Sequence, residues 1–473
     1  MRFILVCLCL LLPALVGAER LSSVTVYGNA LLGRDAILRL CGLNEGDSLR
    51  DDAVDRCVRY LQETGLFDSV AVKCVPAAEG GADLHVLVLE KSRGQFQFLG
   101  GTLATTLFGQ NRYWFCVTPG YVRRYPAGRP DVLRFSVTLP YSYGVSADWI
   151  GQALPVHGYT TGLDLSAQYF PYQYSRYLAR SFYGAAYLER RLLPGLSVRA
   201  SLADELSKTW RVDVNKWKAL DWQVLITDPG AIQDNRYSQV YPREENAPSV
   251  AFSGLLDKRD HPYTPSRGMT FFLEGRRYFI LNLKNSSRFN FNQATGSVRF
   301  YVSTFARQTV ATHLKAVVRD HFDPDRLAHR LIFYNDGQHF RGFQSLAGTN
   351  LLLWNWEYRV HLFGFDMLEG LEDLNLPLKT RRMLDKLSYS AEAVAYVDNG
   401  VFFGRVYNGT EADIVFRDIR LPRDLYTSVG FGGRLIYPKL GYVASAGITL
   451  FQHKEGLDDD FTSRVYGTLS AAF

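Results

Sequence analysis

The sequence predicts a mainly β protein, in which a transmembrane barrel of about 16 antiparallel strands follows one small α+β domain. After the first residues, no apolar run approaches the ~20 residues that a membrane-spanning helix needs. Period-two alternation of apolar and polar residues dominates from Arg93 onward. The 28 Tyr, 30 Phe, 7 Trp and 40 Gly, beside 21% charged residues, suit aromatic girdles around a polar interior.

The first 18 residues have the pattern of a secretory signal peptide. Arg2 gives a basic start, Phe3 to Leu12 form an apolar run, and Val16-Gly17-Ala18 is a small-residue cleavage site. The apolar run is too short to span a bilayer, so we expect cleavage after Ala18.

Four cysteines remain after that cleavage: Cys41, Cys57, Cys74 and Cys116. An exported protein meets an oxidising compartment, and Cys41–Cys57 is the first pair to test for a disulfide. Free buried cysteines are an equally good interpretation. The net charge of +6 is modest for 473 residues and gives no reason to expect a nucleic-acid partner.

Residues 22–91 have mixed character and form the predicted small domain. In the second predicted helix, Val54, Cys57, Val58 and Leu61 share one face, and Gly65 ends it. The predicted order is strand, helix, helix, strand, strand, over residues 22–27, 34–40, 49–63, 70–75 and 84–89.

The strand after residue 350 shows best why residues 93–473 are predicted to form a barrel. One face carries Leu352, Trp354, Trp356, Tyr358, Val360 and Leu362, and the other carries Asn355, Glu357, Arg359 and His361. A water-soluble sandwich would bury the first face, whereas a spanning strand turns it to lipid and the charged face to a wet lumen. Charged faces recur along the chain, so we favour the barrel.

The same alternation recurs at residues 310–318, 429–435 and 465–473. Short connections at 190–195 and 438–441 alternate with long ones at 209–247 and 400–423, an asymmetry typical of outer-membrane barrels. Within the barrel, helical character is expected only near Leu368 to Leu387.

The run Leu61 to Val70, with its Gly65-Leu66-Phe67 step, resembles a single POTRA module. Such a module offers a strand edge that can pair with an extended client segment through main-chain hydrogen bonds. A rigid spacer that binds nothing is the other interpretation.

Four further patches, in order along the chain, resemble the BamA/TamA superfamily of outer-membrane assembly and translocation barrels, also called bacterial surface antigens. They are Asp257 to Gly268, Phe340-Arg341-Gly342-Phe343, Glu357-Tyr358-Arg359 and Tyr396-Val397-Asp398-Asn399-Gly400. The first resembles the family's turn between strands eight and nine. The second departs from its loop-tip motif only at Phe340, where valine or isoleucine is usual.

The resemblance implies that the loop bearing Phe340, Arg341, Gly342 and Phe343 folds back into the lumen. Arg341 would then meet Asp398 on the inner wall, with Glu357 nearby and Gly400 completing the wall motif. An arginine can bind a carboxylate through two parallel hydrogen bonds, and a glycine lets the backbone pass close to the wall. Taken alone, Asp398-Asn399-Gly400 also fits an ordinary turn.

The first barrel strand, near Gln95 to Gly101, and the last, Ser463 to Phe473, are expected to form a weak seam. Gly101 and Gly467 stabilise strand pairing poorly, and Phe473 is a terminal aromatic. An open seam would expose backbone groups on which an incoming strand can be templated.

These observations predict a bacterial outer-membrane protein that assists insertion of other β-barrels, with its POTRA-like module in the periplasm. Its partners would be unfolded outer-membrane or secreted client polypeptides and outer-membrane lipids; periplasmic chaperones and accessory lipoproteins are compatible with this interpretation. The alternative is a two-partner-type pore that exports a partner polypeptide, and a third class is a surface antigen or scaffold.

We predict no enzyme and no cofactor. The sequence lacks Gly-x-Ser-x-Gly, a phosphate-binding glycine loop and Cys-x-x-Cys. The segment Asp320 to Asp325 has the composition of a metal cluster, but Pro324 in its middle favours a solvated turn.

Overall fold

The computed structural model describes residues 20–43, 45–47, 53–77, 81–106, 114–140, 143–151, 159–171, 177–193, 195–211, 243–261, 264–283, 286–322, 332–334, 346–366, 368–369, 377, 380, 384, 387–410, 413–419, 425–437, 442–454 and 464–471. Within these residues the chain divides into two compact units. The first contains the chain up to Arg93, together with Arg124–Val132 and the described ends of Gly151–Thr160, and the second contains the rest. The predicted signal peptide, residues 1–18, lies outside the described residues.

The first unit begins with a three-stranded sheet and two helices. Its elements are β1 (Leu21–Tyr27), α1 (Arg34–Cys41), α2 (Ala53–Glu63), β2 (Phe67–Pro76) and β3 (Ala82–Glu90). The sheet order is β1-β3-β2, with β1 parallel and β2 antiparallel to β3. The predicted order of strand, helix, helix, strand, strand is confirmed.

Two glycines end the helices, as their conformation allows. Gly42 follows α1 with φ of 68°, and its amide donates to the carbonyls of Leu38 and Arg39. Gly65 follows α2 with φ of 68°. Both values lie in the left-handed region, which costs glycine little and other residues more.

The turn Arg124–Val132 packs within the first unit through Tyr125, which is 3% exposed. The Tyr125 hydroxyl donates a hydrogen bond to the carbonyl of Leu66, which is fully buried. Burial raises the pKa of Tyr125 above its ordinary value. The carbonyl of Leu66, within the Gly65-Leu66-Phe67 step noted in the sequence, is therefore the hydrogen-bond acceptor for the tyrosine of this turn.

The second unit is a closed antiparallel barrel. Within the described chain its strands are β4 (Gly94–Thr106), β5 (Trp114–Arg124), β6 (Asp131–Pro140), β7 (Tyr143–Gly151), β8 (Tyr159–Pro171), β9 (Tyr177–Leu193), β10 (Leu196–Arg211), β11 (Arg243–Asn246), β12 (Ser249–Asp257), β13 (Gly268–Asn282), β14 (Arg288–Phe305), β15 (Gln308–Asp320), β16 (Ile332–Tyr334), β17 (Leu346–Phe365), β18 (Tyr389–Thr410), β19 (Asp413–Ile419), β20 (Leu425–Tyr437), β21 (Tyr442–Lys454) and β22 (Arg464–Ala471).

Three positions in the barrel wall are each occupied by two segments. Strands β11 and β12 both pair with β10 and β13, β15 and β16 both pair with β17, and β19 and β20 both pair with β18. The described wall therefore has sixteen strand positions, as predicted. The segment Asp257 to Gly268 joins the eighth and ninth of them.

The two faces of the barrel strands differ as the alternation predicts. On β17, Trp356 is 50% and Leu362 49% exposed on the outer face, whereas Asn355 on the inner face is 4% exposed. On β20, Phe431 is 51% exposed and Ser428 is fully buried. An outer face of exposed large apolar side chains is stable when lipid, rather than water, surrounds it.

Aromatic side chains also gather where strands end, as a girdle requires. Phe363 and Phe365 on β17 contact Tyr389 on β18, and Tyr389 contacts Tyr437 on β20. The ring centroids are 5.6 to 6.3 Å apart. Aromatic rings are favoured at the membrane–water boundary because they combine an apolar body with a polarisable edge.

One predicted connection is wrong. Residues 400–423 were expected to form a long loop, but β18 continues to Thr410 and pairs with β19 from Gly404–Ile419 to Thr410–Asp413. The segment is rich in β-branched and aromatic residues, which favour strand pairing. The connection predicted at 190–195 is short, as expected, but β9 continues to Leu193 and β10 begins at Leu196, with Gly195 at φ of 76° between them.

The other predicted connections lie partly outside the described residues. This applies to most of 209–247, to 438–441 and to most of the expected helical segment near Leu368 to Leu387, where Thr380 and Leu384 have helical backbone. In the described part of the chain, no helix is long and apolar enough to cross a bilayer.

Candidate functional site on the inner wall

Asp398 occupies the centre of a polar row that crosses four strands on the inner wall. It has no exposed surface, and its direct strand partners are Asn355 on β17 and Ser428 on β20. Asn355 is in turn the partner of His313 on β15. Directly opposed residues project to the same face of a sheet, so these four polar side chains lie side by side.

All members of this polar row are buried, with Ser428 fully buried, Asn355 4% and His313 9% exposed. Burying a polar group is costly unless hydrogen bonds compensate for the lost water. His313 meets this requirement through Ser297, with 3.0 Å between its Nε2 and the Ser297 Oγ. An ionised carboxylate without exposed surface needs compensating hydrogen bonds or cations even more than a neutral group does, because it carries a charge.

Tyr396, two residues before Asp398, lies on the same inner face and is 2% exposed. Its hydroxyl shares a hydrogen bond of 2.7 Å with the hydroxyl of Thr449 on β21. A methyl group at Gly430 on β20 would lie 2.4 Å from the Tyr396 hydroxyl oxygen. The tyrosine ring therefore lies across the space that Gly430 leaves open.

Glu357 lies next to this row and forms an ion pair with Arg359 on its own strand. The Arg359 guanidinium is 2.6 Å from the Glu357 carboxylate, and Tyr396 is the strand partner of Glu357. A second pair, Arg434–Glu392, joins β20 to β18 at 3.2 Å. All four side chains are less than a fifth exposed, so these charges interact with little screening from water.

Apolar side chains cover the inner wall beyond the polar row, towards the β18–β19 hairpin. Leu351, Leu353, Phe402 and Tyr426 are each at most 1% exposed. The rings of Phe402 and Tyr426 meet edge to face, with 6.1 Å between their centroids. Gly400, the last residue of the predicted wall motif, is the strand partner of Leu353 and Tyr426 and is buried.

The structure thus brings together three of the predicted site residues, Glu357, Asp398 and Gly400, on one wall of the barrel. Phe340, Arg341, Gly342 and Phe343 lie outside the described residues, as does Phe473. Sequence reasoning missed Gly430, Thr449 and the Glu392–Arg434 pair as neighbours. The alternation of apolar and polar residues already places Glu392 and Arg434 on the inner face. Only the strand register shows that these two side chains are neighbours.

The barrel closes where β22 pairs with β4, from Arg464–Thr106 to Ser470–Gly100. This pairing spans seven residues of β22, and Leu469 is the direct partner of Gly101 and Gly467 that of Leu103. The pairing of β17 with β18 is far longer, running from Ala347–Tyr407 to Phe365–Tyr389. Within the described residues the seam therefore consists of seven residue pairs, with glycines at three positions, Gly100, Gly101 and Gly467.

The turn from Asp257 to Gly268 is held by its own side chains. Arg259 reaches the Asp257 carboxylate through two nitrogens, at 2.9 and 2.6 Å. The Asp260 carboxylate accepts hydrogen bonds from the Ser266 hydroxyl at 2.5 Å and its amide at 3.0 Å. Gly268 has φ of 102°, and a methyl group there would lie 2.1 Å from the Lys258 carbonyl oxygen.

Two titratable groups in this turn have shifted pKa values. Burial lowers the pKa of His261 below its ordinary value of 6.5, although the Asp260 carboxylate opposes the shift. Partial burial raises the pKa of Asp260, but hydrogen bonds from Ser266 and nearby backbone amides outweigh it and lower the pKa overall. Both pKa shifts favour a neutral His261 and an ionised Asp260 near neutral pH.

Among the described residues, no group of three or more His, Cys, Asp or Glu is arranged to hold a metal ion. Asp320 and His321, from the segment read as a solvated turn, are both exposed, with 3.3 Å between carboxylate and Nε2. Asp323 to Asp325 lie outside the described residues.

Comparison with solved structures relates this architecture to two kinds of barrel. BamA from Haemophilus ducreyi lacking POTRA domains 1–3 matches 95% of this chain and 84% of its own, with a TM-score of 0.58 and 13% identity. CdiB from Acinetobacter baumannii matches 96% and 73%, with a TM-score of 0.60 and 13% identity. CdiB from Escherichia coli matches 96% and 76%, with a TM-score of 0.59 and 13% identity.

No family model and no curated protein matches the sequence. At 13% identity the structural matches speak to the fold, and they cover the N-terminal elements as well as the barrel. The chain has the fold of BamA and CdiB, which confirms at that level the resemblance to the BamA/TamA superfamily.

Proposed function

We propose that this protein is a member of the BamA/TamA superfamily that assists insertion of β-barrel proteins into the bacterial outer membrane. The observation that carries the proposal is the short β22–β4 seam, with Gly100 and Gly101 on one strand and Gly467 on the other. Glycine loses more backbone entropy on pairing and contributes no side-chain packing, so these three residues lower the cost of opening the seam.

An opened seam would present the unpaired backbone edges of β4 and β22 to the membrane. In hydrocarbon, unpaired N–H and C=O groups are costly, which gives an incoming client strand a strong reason to pair there. Main-chain pairing makes little demand on client sequence, so one seam could serve many barrels.

The N-terminal module would act before this step, as a POTRA domain in the periplasm. Its sheet order leaves β2 as an edge strand within the described module, and Phe67–Pro76 is long enough to align an extended segment. Unfolded outer-membrane or secreted polypeptides are the proposed clients, with periplasmic chaperones or accessory lipoproteins as further candidates and outer-membrane lipids as the surroundings. The role is non-catalytic.

Within the lumen, we propose that the loop Phe340 to Phe343 folds back onto the inner wall, where Arg341 would bind Asp398. Zero exposure of Asp398 supports this, because a buried carboxylate requires compensating donors. Glu357 would add negative charge nearby, and the apolar wall beside Gly400 would receive Phe343.

The seam can be tested with two cysteine pairs that share one residue. Leu469→Cys is combined with Gly101→Cys across the seam, or with Ala444→Cys on β21, its strand partner on the other side. Both pairs tether β22, but only the first closes the seam. Oxidation of the seam pair should reduce client-barrel assembly in proteoliposomes at least tenfold, reversibly with reductant, while the β21 pair leaves it unchanged. Equal assembly with both pairs oxidised would rule out the seam mechanism.

A two-partner-type secretion pore is the second candidate, because the fold matches CdiB as well as it matches BamA. In that role a partner polypeptide would cross the lumen, and the seam would stay closed. Comparison of outer membranes with and without this gene separates the two functions. Loss of several unrelated barrels supports assembly, whereas retention of one exported polypeptide inside the cell supports secretion.

A further inference from the structure

Two cysteine side chains meet between the helices of the N-terminal module. Cys41 is the last residue of α1 and 3% exposed, and Cys57 lies in the middle of α2 and is fully buried. Both are free thiols, joined by a hydrogen bond. That hydrogen bond and burial raise the pKa of Cys41 above its ordinary value. Cys74, in contrast, is exposed.

We propose that Cys41 and Cys57 form an intramolecular disulfide in the mature exported protein and that Cys74 remains a free thiol. The compartment in this inference rests on the proposed function, which places the module outside the cytoplasm. Exported proteins form and keep disulfides, whereas cytosolic thiols are kept reduced. In the folded module the two buried thiols are in contact, so a bond between Cys41 and Cys57 is compatible with the packing of α1 on α2.

The reaction is an exchange with a donor disulfide, such as that of an exported dithiol oxidant or of oxidised glutathione. One cysteine thiolate attacks the donor disulfide, forming a mixed disulfide and releasing one donor thiol. The second cysteine thiolate then displaces the remaining donor thiol. The two cysteines lose two protons and two electrons, and the donor disulfide is reduced to two thiols.

The order of events follows from burial. A raised pKa and a buried sulfur both suppress the thiolate that must attack, so the folded, reduced module reacts slowly. Oxidation therefore precedes the packing of α1 on α2, while the chain is still folding. Once packed, the disulfide is shielded from reductant as well, which makes it a permanent structural link rather than a reversible switch.

The link closes a loop across the fifteen residues between Cys41 and Cys57. A disulfide of this span restricts the unfolded chain and so lowers the population of opened module. We expect cleavage of the module by added protease, in the intact detergent-purified protein, to accelerate at least about tenfold when the bond is removed. The strands that present the module's edge would be protected along with the helices.

The bond itself is measured on full-length protein from cell envelopes. Thiols are blocked with an alkylating reagent under denaturing conditions, reduced, and labelled with a second reagent of different mass. Cys41 and Cys57 should carry the second label, and Cys74 the first; peptide mapping without reduction should find residues 41 and 57 in one linked species. First-reagent labelling of both Cys41 and Cys57 in envelope protein would overturn the inference.

Single Cys→Ser variants test whether the protection from protease depends on the Cys41–Cys57 disulfide. Cys41→Ser and Cys57→Ser should each lose the linked species and accelerate proteolysis, whereas Cys74→Ser should change neither. Fractionation of the same cells keeps the two proposals apart. Reduced thiols in protein that reaches the outer membrane contradict the disulfide alone, and protein retained in the cytoplasm contradicts the proposed function. For protein retained there, refolding in a glutathione redox buffer decides the disulfide separately.

Discussion

At the scale of single residues, Asp398 is notable because it is an acidic side chain with no exposed surface. It combines a charge with zero exposure, and its strand partners Asn355 and Ser428 are neutral. Such a carboxylate is retained when a cation or several donors face it. The proposed partner, Arg341, is suited to this because its guanidinium stays charged and can bind both oxygens.

A double-mutant cycle tests this pairing. We expect Asp398→Asn and Arg341→Ala each to destabilise the barrel by about 3 to 5 kcal/mol, since each leaves a buried partner uncompensated. The double variant should cost about the same as either single change, because the two residues act as one unit. The measurement is urea unfolding of the barrel in lipid vesicles. Asp320→Asn, at an exposed carboxylate, is the control, and additive losses in the double variant would exclude the pairing.

Gly430 provides a second residue-scale prediction, which concerns packing rather than charge. A methyl group there would lie 2.4 Å from the Tyr396 hydroxyl oxygen and 2.4 Å from the Ile448 carbonyl oxygen, so Gly430→Ala must displace the ring or the strand. We expect a loss of about 1 to 3 kcal/mol in the same unfolding experiment. Gly433→Ala on the same strand is the matched control, because its nearest contact would be an ordinary 3.7 Å. Equal stability of the two variants would refute the interpretation.

These residues show which parts of the site could be predicted from the sequence alone. Glu357, Asp398 and Gly400 could be assigned to one wall because strand parity and a family motif both pointed there. Gly430 could not, since its role depends on lying opposite Tyr396, which only the pairing of β18 with β20 establishes. A one-residue slip in that register would have placed a different side chain beneath the ring.

At the scale of elements, the turn Asp257 to Gly268 should weaken in acid. His261 has a lowered pKa in the folded turn, so below about pH 6.5 the unfolded turn binds more protons than the folded one and stability falls. The lowered pKa of Asp260 adds a further loss below its ordinary value of 3.8. Hydrogen exchange at residues 258–268, corrected for intrinsic rates, should therefore accelerate as pH drops from 7 to 5.

The control for this prediction is His261→Gln, which keeps an acceptor near Thr264 but does not titrate. In that variant the acceleration between pH 7 and 5 should disappear, while the later loss due to Asp260 remains. Unchanged pH dependence in His261→Gln would mean that another group is responsible.

Helices and strands were predicted correctly where the local sequence pattern and the tertiary contacts favour the same structure. The order of the N-terminal module follows from helical periodicity ended by Gly42 and Gly65, and both glycines have the expected left-handed conformation. The β18–β19 hairpin was missed because residues 400–423 were expected to form a long connection. Pairing with a neighbouring strand decides the structure of this segment, as tertiary contacts often do in sheets.

At the scale of the whole molecule, the barrel was predictable because its surroundings impose one requirement on every strand. Each spanning strand must turn apolar side chains to lipid, so the same alternation recurs independently of which strands are neighbours. The number of strands follows from counting such segments. The pairing of short segments such as β11 and β16 into shared positions does not, because it depends on register at strand ends.

This requirement predicts that the cost of a charge on the outer face depends on its depth. Leu314 and Val318 are 46% and 45% exposed on β15, but Leu314 lies near the middle of the strand and Val318 two residues from its end at Asp320. We expect Leu314→Arg to destabilise the barrel by about 2 to 4 kcal/mol and Val318→Arg by about 0 to 1 kcal/mol. The difference arises because an arginine near the strand end can extend its guanidinium to the interface.

The measurement is reversible folding into vesicles, followed by the shift of electrophoretic mobility that folded barrels show without heating. Detergent micelles serve as the comparison, since they lack a layer of fixed thickness and should reduce the difference between the variants. If arginine at Leu314 and Val318 cost the same in vesicles, the outer face would not be crossing a bilayer at that point. A small effect of both changes would indicate that this exposed apolar face is covered by protein instead of lipid.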